Sequence, residues 1–311
     1  MRGRTALCCV LFCAVSTLLA GGSFGPGQRV LLDAHNCYPY DGRWADRIDR
    51  ALSTGAPLAI EQDLVWYRGR SLVAHERPHG TEPTLRDYFF ERIRPLVEAA
   101  LREPTHDAWP IVTLNLDFKS EEPEHLAAVW AVLKEYQSWL TTAPRARDLG
   151  DVQPLHVGPV LVLTGESDAQ RRAFHDAVPV GEALLAFGAV HQGGARTNYH
   201  RWSNNPWSRV EPAGQNHAGA WTPDADARLR ALVRAAHDAG LWIRFYTLNG
   251  HDPADQSGGW SPGYNFGSEA AARDRWRAAI RAGVDFVAVD QYELLAATLR
   301  EMRGAHATPA P

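Results

Sequence analysis

Five side chains in this sequence are of the types that hold a cation and move a proton: His35, Glu61, Asp63, His75 and Asp117. Glu61 and Asp63 stand two apart at the end of the apolar run Leu58-Ala59-Ile60, and Asp117 and Lys119 repeat that spacing at the end of Ile111 to Phe118. In an extended strand, residues two apart point the same way, so each pair faces one side together. Three carboxylates gathered at one place repel one another unless a cation lies between them. Oxygen-only donors favour a hard ion, Mg2+ or Ca2+, over Zn2+, which prefers nitrogen and sulfur. His35 and His75 add what cleavage of a phosphoester also needs, one group to take a proton from the nucleophile and one to protonate the leaving oxygen. The cation then offsets charge on the phosphoryl oxygens, and Lys119 neutralises more.

The elements that would bring these residues together are legible as short apolar runs alternating with helical stretches, the pattern of parallel βα units. Strand one is Val30 to Ala34, ending at His35-Asn36. Strand two starts at Leu58 and carries Glu61-Gln62-Asp63. A turn at Arg68-Gly69-Arg70 sends Ser71 to Ala74 back to His75 as a hairpin. Strand three is Ile111 to Phe118, strand four Val160 to Leu163 and strand five Leu184 to Phe187, with helices at about Glu122 to Leu140 and Asp168 to Asp176. Strand six is assigned to Thr197 to Trp202 within a stretch rich in glycine, asparagine and tryptophan. Thr222 caps a long helix that starts at Pro223 and ends at Gly240. Strand seven is Leu241 to Leu248, strand eight Val284 to Val289, and a last helix runs from Glu293 to about Met302. Eight strands alternating with helices predict a (β/α)8 TIM barrel, in which functional side chains sit at the C-terminal ends of the strands. His35, Glu61, Asp63, His75, Asp117 and Lys119 all pass that filter. Arg244 lies on strand seven and either points into the mouth or away from it.

This constellation resembles the phosphatidylinositol-specific phospholipase C-like phosphodiesterase superfamily, which includes the glycerophosphodiester phosphodiesterases. The resemblance rests on His35, the E-x-D of Glu61 and Asp63, His75 a dozen residues on, the acid-x-lysine of Asp117 and Lys119, and Gly283-Val284-Asp285 before the final strand. It implies that the carboxylates bind Mg2+ or Ca2+, that His35 and His75 act as acid and base, and that the substrate is a small-molecule or lipid phosphodiester. Where glycerophosphodiesterases show H-R-G, this chain has His35-Asn36-Cys37-Tyr38. The H-N-x-Y pattern is similar to the calcium-dependent phosphoinositide phospholipase C-like branch and to the altered-inheritance-of-mitochondria-like branch. Asn36 thus replaces an arginine that would grip phosphate, and is expected either to contact substrate or to ligate the metal through its amide oxygen.

Each assignment has a structural alternative. The carboxylates and Lys119 also fit a salt-bridge network, and the whole rim also fits an exported barrel that binds a ligand or metal without turnover. Cys37 is expected to be a buried spectator rather than a nucleophile. No G-x-S-x-G stands on a sharp strand-to-helix turn, since the two matches, Gly21 to Gly25 and Gly259 to Gly263, fall beside the expected signal and within a long loop; with no G-x-G-x-x-G after strand one and no cluster at zinc spacing, this argues against a serine hydrolase, a dinucleotide enzyme and a zinc site.

The 311 residues, 45% hydrophobic and 22% charged, suit one large α/β domain. The formal net charge of -4 argues against a nucleic-acid partner. Arg2 and Arg4 precede an apolar run from Ala6 to Ala20, followed by Gly21 and Gly22. This is the pattern of a cleavable export signal over residues 1–22, too short for a membrane anchor, and it predicts a secreted or periplasmic barrel over 23–304 with a disordered tail at 305–311. Cys8, Cys9 and Cys13 fall in the signal, leaving Cys37 with no partner for a disulfide.

Overall fold

Strands and helices alternate along the described residues, 24–39, 45–251 and 262–307 of a computed structural model. The strands are β1 (Leu31–Ala34), β2 (Leu58–Tyr67), β3 (Arg70–Val73), β4 (Val112–Phe118), β5 (Ala143–Pro144), β6 (Val160–Thr164), β7 (Ala183–Leu184), β8 (Phe187–Ala189), β9 (His200–Pro206), β10 (Trp242–Tyr246) and β11 (Phe286–Val289). The helices are α1 (Arg47–Ser53), α2 (Glu91–Leu101), α3 (Pro123–Glu135), α4 (Asp168–Arg171), α5 (Pro223–Asp238), α6 (Glu269–Ala282) and α7 (Tyr292–Ala307). Eight strands pair in parallel in the order β1, β2, β4, β6, β8, β9, β10, β11, and β11 pairs with β1 to close the ring. This is a (β/α)8 TIM barrel. β3 pairs antiparallel with the upper part of β2, Leu64 opposite Val73, and β5 and β7 form a small separate pair.

The alternation of each strand divides the core into two. Outward residues such as Ile60, Leu114, Val162, Phe245 and Val287 pack against Ile93, Leu126, Leu229, Trp276 and Leu295 of the helices. Each such fully buried aliphatic or aromatic side chain contributes about 1.5–3 kcal/mol. Trp276 also donates its indole N–H to the Leu248 carbonyl at 2.8 Å, and Trp276→Ala is expected to cost about 3–5 kcal/mol through the cavity and the orphaned carbonyl. Inward residues form layers. Leu31, Leu161, Trp202, Trp242 and Phe286 close the bottom of the barrel as a second apolar cluster. Above them Asp33, Glu61, Asn115 and Arg244 are buried and polar, so the barrel is apolar below and charged towards its mouth.

The helix from Pro223 is capped as expected: Thr222 Oγ1 accepts from the Ala225 N–H at 3.2 Å. Other boundaries moved. The fifth barrel strand is Phe187–Ala189 rather than Leu184 to Phe187; Leu184 belongs to β7 in the side pair. Gly188 permits that placement, because a Cβ there would meet Tyr199 Cε1 at 2.3 Å. The sixth strand is His200–Pro206, later than the Thr197 to Trp202 expected. Between His75 and Ile111, where the strand-and-helix pattern above has no element, lies α2, entered by a π-helical turn at Arg86–Phe90 and burying Ile93, Val97 and Ala100 at helical spacing. α7 continues to Ala307, beyond Met302, so the first residues of the expected tail are helical. The expected signal at 1–22 and residues 308–311 lie outside the described residues, and no helix among those described is long and apolar enough to cross a membrane.

Candidate metal centre

Register places the acidic residues before any side-chain preference is considered. β2 and β4 run in parallel with Glu61 opposite Asn115 and Asp63 opposite Asp117, so the E-x-D and the acid-x-lysine end side by side at the mouth. The Lys119 N–H donates to the Leu64 carbonyl at 2.9 Å and keeps the two strand ends together. One carboxylate oxygen from each of Glu61, Asp63 and Asp117 lies within 4.8 Å of the others.

Their environments differ. Glu61 is 3% exposed and the most heavily engaged: Arg244 Nη2 donates to Oε1 at 3.0 Å and the Asn36 backbone N–H donates to Oε2 at 2.9 Å. Burial pushes its carboxyl up, but His35, Arg244 and the Asn36 N–H outweigh that and hold it at about 2. Asp63 is 1% exposed, and neither carboxylate oxygen has a hydrogen-bond partner among the described residues. Lys119 Nζ approaches Oδ2 at 3.1 Å without the alignment of a hydrogen bond, and binds Asp117 Oδ2 at 2.7 Å. Burial, with Glu61 and Asp117 nearby, pushes the Asp63 carboxyl well above the usual range. Burial lowers the Lys119 ammonium, but Asp63 and Asp117 raise it further and keep it charged.

His35 ends β1 beside this cluster. Its Nδ1 lies 3.0 Å from Asp290 Oδ1 and its Nε2 3.5 Å from Glu61 Oε2. Burial draws its proton affinity down, while Glu61 and Asp290 raise it to a net increase. An Nδ1–H donated to Asp290 leaves Nε2 facing Glu61. Asn36 adopts φ 51°, a left-handed conformation that asparagine tolerates, and this turn aims its backbone N–H at Glu61. Its side chain is spent: Nδ2 lies 2.7 Å from His35 Nδ1 and donates to Asp290 Oδ1 at 3.1 Å, and Oδ1 accepts from the Tyr38 hydroxyl at 2.7 Å. Arg244 points into the barrel and is 2% exposed, with its nitrogens on Asp33, Glu61 and Asn204, the last at 3.1 Å. His75 stands apart from these buried groups. It is exposed, its ring is near parallel to that of Tyr38 at 6.3 Å, and desolvation followed by Lys119 lowers its proton affinity. Cys37 is buried, and burial pushes its thiol up, away from the reactive thiolate.

Two residues of this cluster were missed in the sequence reading. Asp290 follows β11 as His35 follows β1, and Asn249 holds it with a reciprocal pair of hydrogen bonds, Nδ2 to Oδ2 and the Asp290 N–H to Oδ1, both 2.8 Å. The strand-end rule applied to strand eight would have found it. Asp33 lies two residues before His35 and so on the same face of β1, where alternation alone was the signal. Asp33 Oδ1 is likewise without a partner among the described residues.

A hard divalent cation fits this donor set. Glu61, Asp63 and Asp117 offer it carboxylate oxygens alone, and of the Asp63 oxygens Oδ1 has no partner among the described residues while Oδ2 has the Lys119 ammonium at 3.1 Å.

No protein-family model and no curated protein sequence matches the chain. Among solved structures it is similar to a glycerophosphoryl diester phosphodiesterase from Parabacteroides distasonis, at 14% identity over 88% of this chain and 87% of that one, with a TM-score of 0.46. It is also similar to a dihydropteroate synthase from Burkholderia cenocepacia, at 16% identity over 92% and 98% of the two chains, with a TM-score of 0.38. A Plasmodium falciparum HPPK-DHPS, of which it spans about half, gives 9% identity over 92% of this chain and 51% of that one, with a TM-score of 0.44. Likenesses of this order carry no reaction and no residue role to this chain.

Proposed function

We propose that the protein is a metal-dependent phosphodiesterase acting on a small-molecule or lipid phosphodiester, such as a glycerophosphodiester or a phospholipid headgroup. The observation that carries this reading is Asp63, a buried carboxylate between Glu61 and Asp117 at the open end of the barrel that accepts no aligned hydrogen bond among the described residues and has only the Lys119 ammonium near it, at 3.1 Å. Held by Glu61, Asp63 and Asp117, a Mg2+ or Ca2+ ion would offset charge on the phosphoryl oxygens.

The chain supplies the rest. Lys119, 26% exposed at the rim, is the cation best placed to meet a phosphate oxygen. His35 and His75 share the acid and base roles, and their surroundings push their proton affinities in opposite directions, the condition under which one gives while the other takes. Asp290 and Asn36 both meet His35 at Nδ1, which leaves Nε2 as the nitrogen turned towards Glu61. Arg244 and Asn36 act through Glu61 and His35, fixing the carboxylate and the imidazole before substrate arrives. A hydroxyl of the substrate as nucleophile gives a cyclic phosphate first; water gives an open monoester.

Phosphorus NMR on a panel of phosphodiesters, with and without chelator, tests the proposal and names the product. New monoester or cyclic-phosphate signals that vanish with chelator support it. Cation binding by calorimetry together with no turnover of any diester would leave a barrel that binds without catalysis, and would overturn the enzymatic reading.

A further inference from the structure

On the outer face of the barrel, α3 and the helical segment from α4 through the π-helical turn Arg172–Asp176 touch through Trp130 and Phe174 but leave space beside that contact. They leave a cavity of about 510 Å³, within the few hundred to a thousand Å³ of small-molecule sites. Its walls are apolar: Leu126 and Trp130 from α3 at i, i+4, and Val178 beyond the turn. Alanines keep it open, since Ala127, Ala169 and Ala173 stand where larger side chains would fill it. The π-helical turn interrupts regular packing at that point, a local irregularity that recurs at functional sites. Trp130 is half-buried and rests on Phe174 at 6.0 Å, which fixes one wall.

Two cations and two acids line it. Arg171 pairs with Asp168 and Asp176. Its neighbour Arg172, and Lys134 on α3, line the cavity and make no salt bridge among the described residues. Both have long aliphatic stems able to cover an apolar chain while the charged end reaches its head. Of the two acids lining the cavity, Glu121 is taken up by Ser167 and by Gln170 Nε2, the latter at 2.6 Å, while Glu182 has no salt bridge among the described residues. We propose that this groove between α3 and the Asp168 to Asp176 segment binds a single-chain anionic amphiphile, a free fatty acid, with the chain along Trp130 and the alanines and the carboxylate at Lys134 and Arg172.

Calorimetry with monomeric dodecanoate below its micelle concentration tests this, with the neutral amphiphile dodecyl maltoside as comparison. Saturable one-to-one binding of dodecanoate is expected, weakened at least 10-fold in Lys134→Glu/Arg172→Glu and strengthened in Glu182→Gln. Ala173→Phe should abolish it while the circular dichroism spectrum stays unchanged; because that variant fills the groove from a helix interior, the surface double variant provides the second, fold-neutral test. Undiminished binding in the double variant, equal affinity for dodecyl maltoside, or association only with lipid vesicles would overturn the proposal. Cleavage of phosphodiesters should be the same in all these variants, so failure here is separable from failure of the assignment at the barrel mouth.

Discussion

At the bottom of the barrel Asp285 is 2% exposed and accepts from three donors: the Gly27 N–H at 2.7 Å, the Ile243 N–H at 2.8 Å and His237 Nε2 at 2.9 Å. At the mouth Asp63 is 1% exposed and accepts no hydrogen bond among the described residues. Burial pushes both carboxyls up; at Asp285 the His237 contact and the two N–H groups pull back, while at Asp63 the neighbouring Glu61 and Asp117 push further and only Lys119 pulls back. The same fold, with the same kind of buried acid, thus gives one three hydrogen bonds and leaves the other with a single ammonium beside it. A buried carboxylate short of hydrogen bonds is costly, by about 1–3 kcal/mol or more for a charged group. The difference teaches that the bottom is organised for stability and the mouth for something that arrives from outside, as expected of the two ends of this barrel.

Substitution is the strongest way to break that comparison. Glu61→Gln should lower phosphodiesterase kcat by about a thousandfold, the scale of losing a cation ligand or a principal electrostatic group, with the fold intact because Arg244 keeps Asp33. Asp290→Asn should cost about 10–100-fold, the range for removing an outer partner of a functional residue, and should move the pH profile as His35 loses the carboxylate that raises its proton affinity. Steady-state rates across pH check both.

Stability should respond in the opposite sense at the two ends. Asp285→Asn is expected to destabilise by about 2–3 kcal/mol, since it weakens three hydrogen bonds to a buried acid, while kcat in the remaining folded protein is unchanged. Asp63→Asn should raise the melting temperature of the metal-free protein by a few degrees, roughly what 1 kcal/mol gives at this size, and abolish turnover. Thermal denaturation with activity assays on both variants would expose the comparison as mistaken were Asp63→Asn the destabilising one.

A smaller effect is the dependence on pH. Asp63 keeps its proton in the metal-free fold to higher pH than in the unfolded chain, so it stabilises at low pH, and that contribution is lost as pH rises from its unfolded value, near 3.9, through its raised folded value. Glu61 works the other way: its stabilisation is full above the unfolded value, near 4.3, and is lost as pH falls towards about 2. A cation bound as proposed would compete with the Asp63 proton, so its affinity should rise with pH and protons should be released. Calorimetry in two buffers of different ionisation enthalpy counts them. Least affected should be the thiol: Cys37 is expected to resist aromatic disulfide reagents in the folded protein, and Cys37→Ala to change kcat less than twofold, as judged by absorbance and initial rates.

The mouth was more legible in the sequence than the structure around it. Glu61, Asp63, Asp117 and Lys119 declared their direction through alternation, and the β2–β4 register then set them side by side. Asp290 was not legible in the same way, because it lies 255 positions from His35 and only ring closure between β1 and β11 makes them neighbours. The sixth strand, His200–Pro206, was misplaced for a related reason. Its inward Asn204 serves Arg244 at 3.1 Å rather than an apolar core, so the apolar alternation that marks a strand is missing there. Arg244 could be placed on its strand, but whether it met substrate or protein depended on Asp33, two positions before the histidine that drew attention. The fifth strand was displaced because the run Leu184 to Phe187 is apolar throughout, while the ladder with β6 begins only at Phe187 opposite Leu163.

The central claim is that turnover depends on a cation held by Glu61, Asp63 and Asp117, and the rate of bis(p-nitrophenyl) phosphate hydrolysis after chelation tests it most directly. No hydrolysis by chelated protein, saturable recovery on adding Mg2+ or Ca2+, and no recovery in Glu61→Gln are the results expected. Full activity in excess chelator, or full activity in Glu61→Gln, would contradict the account.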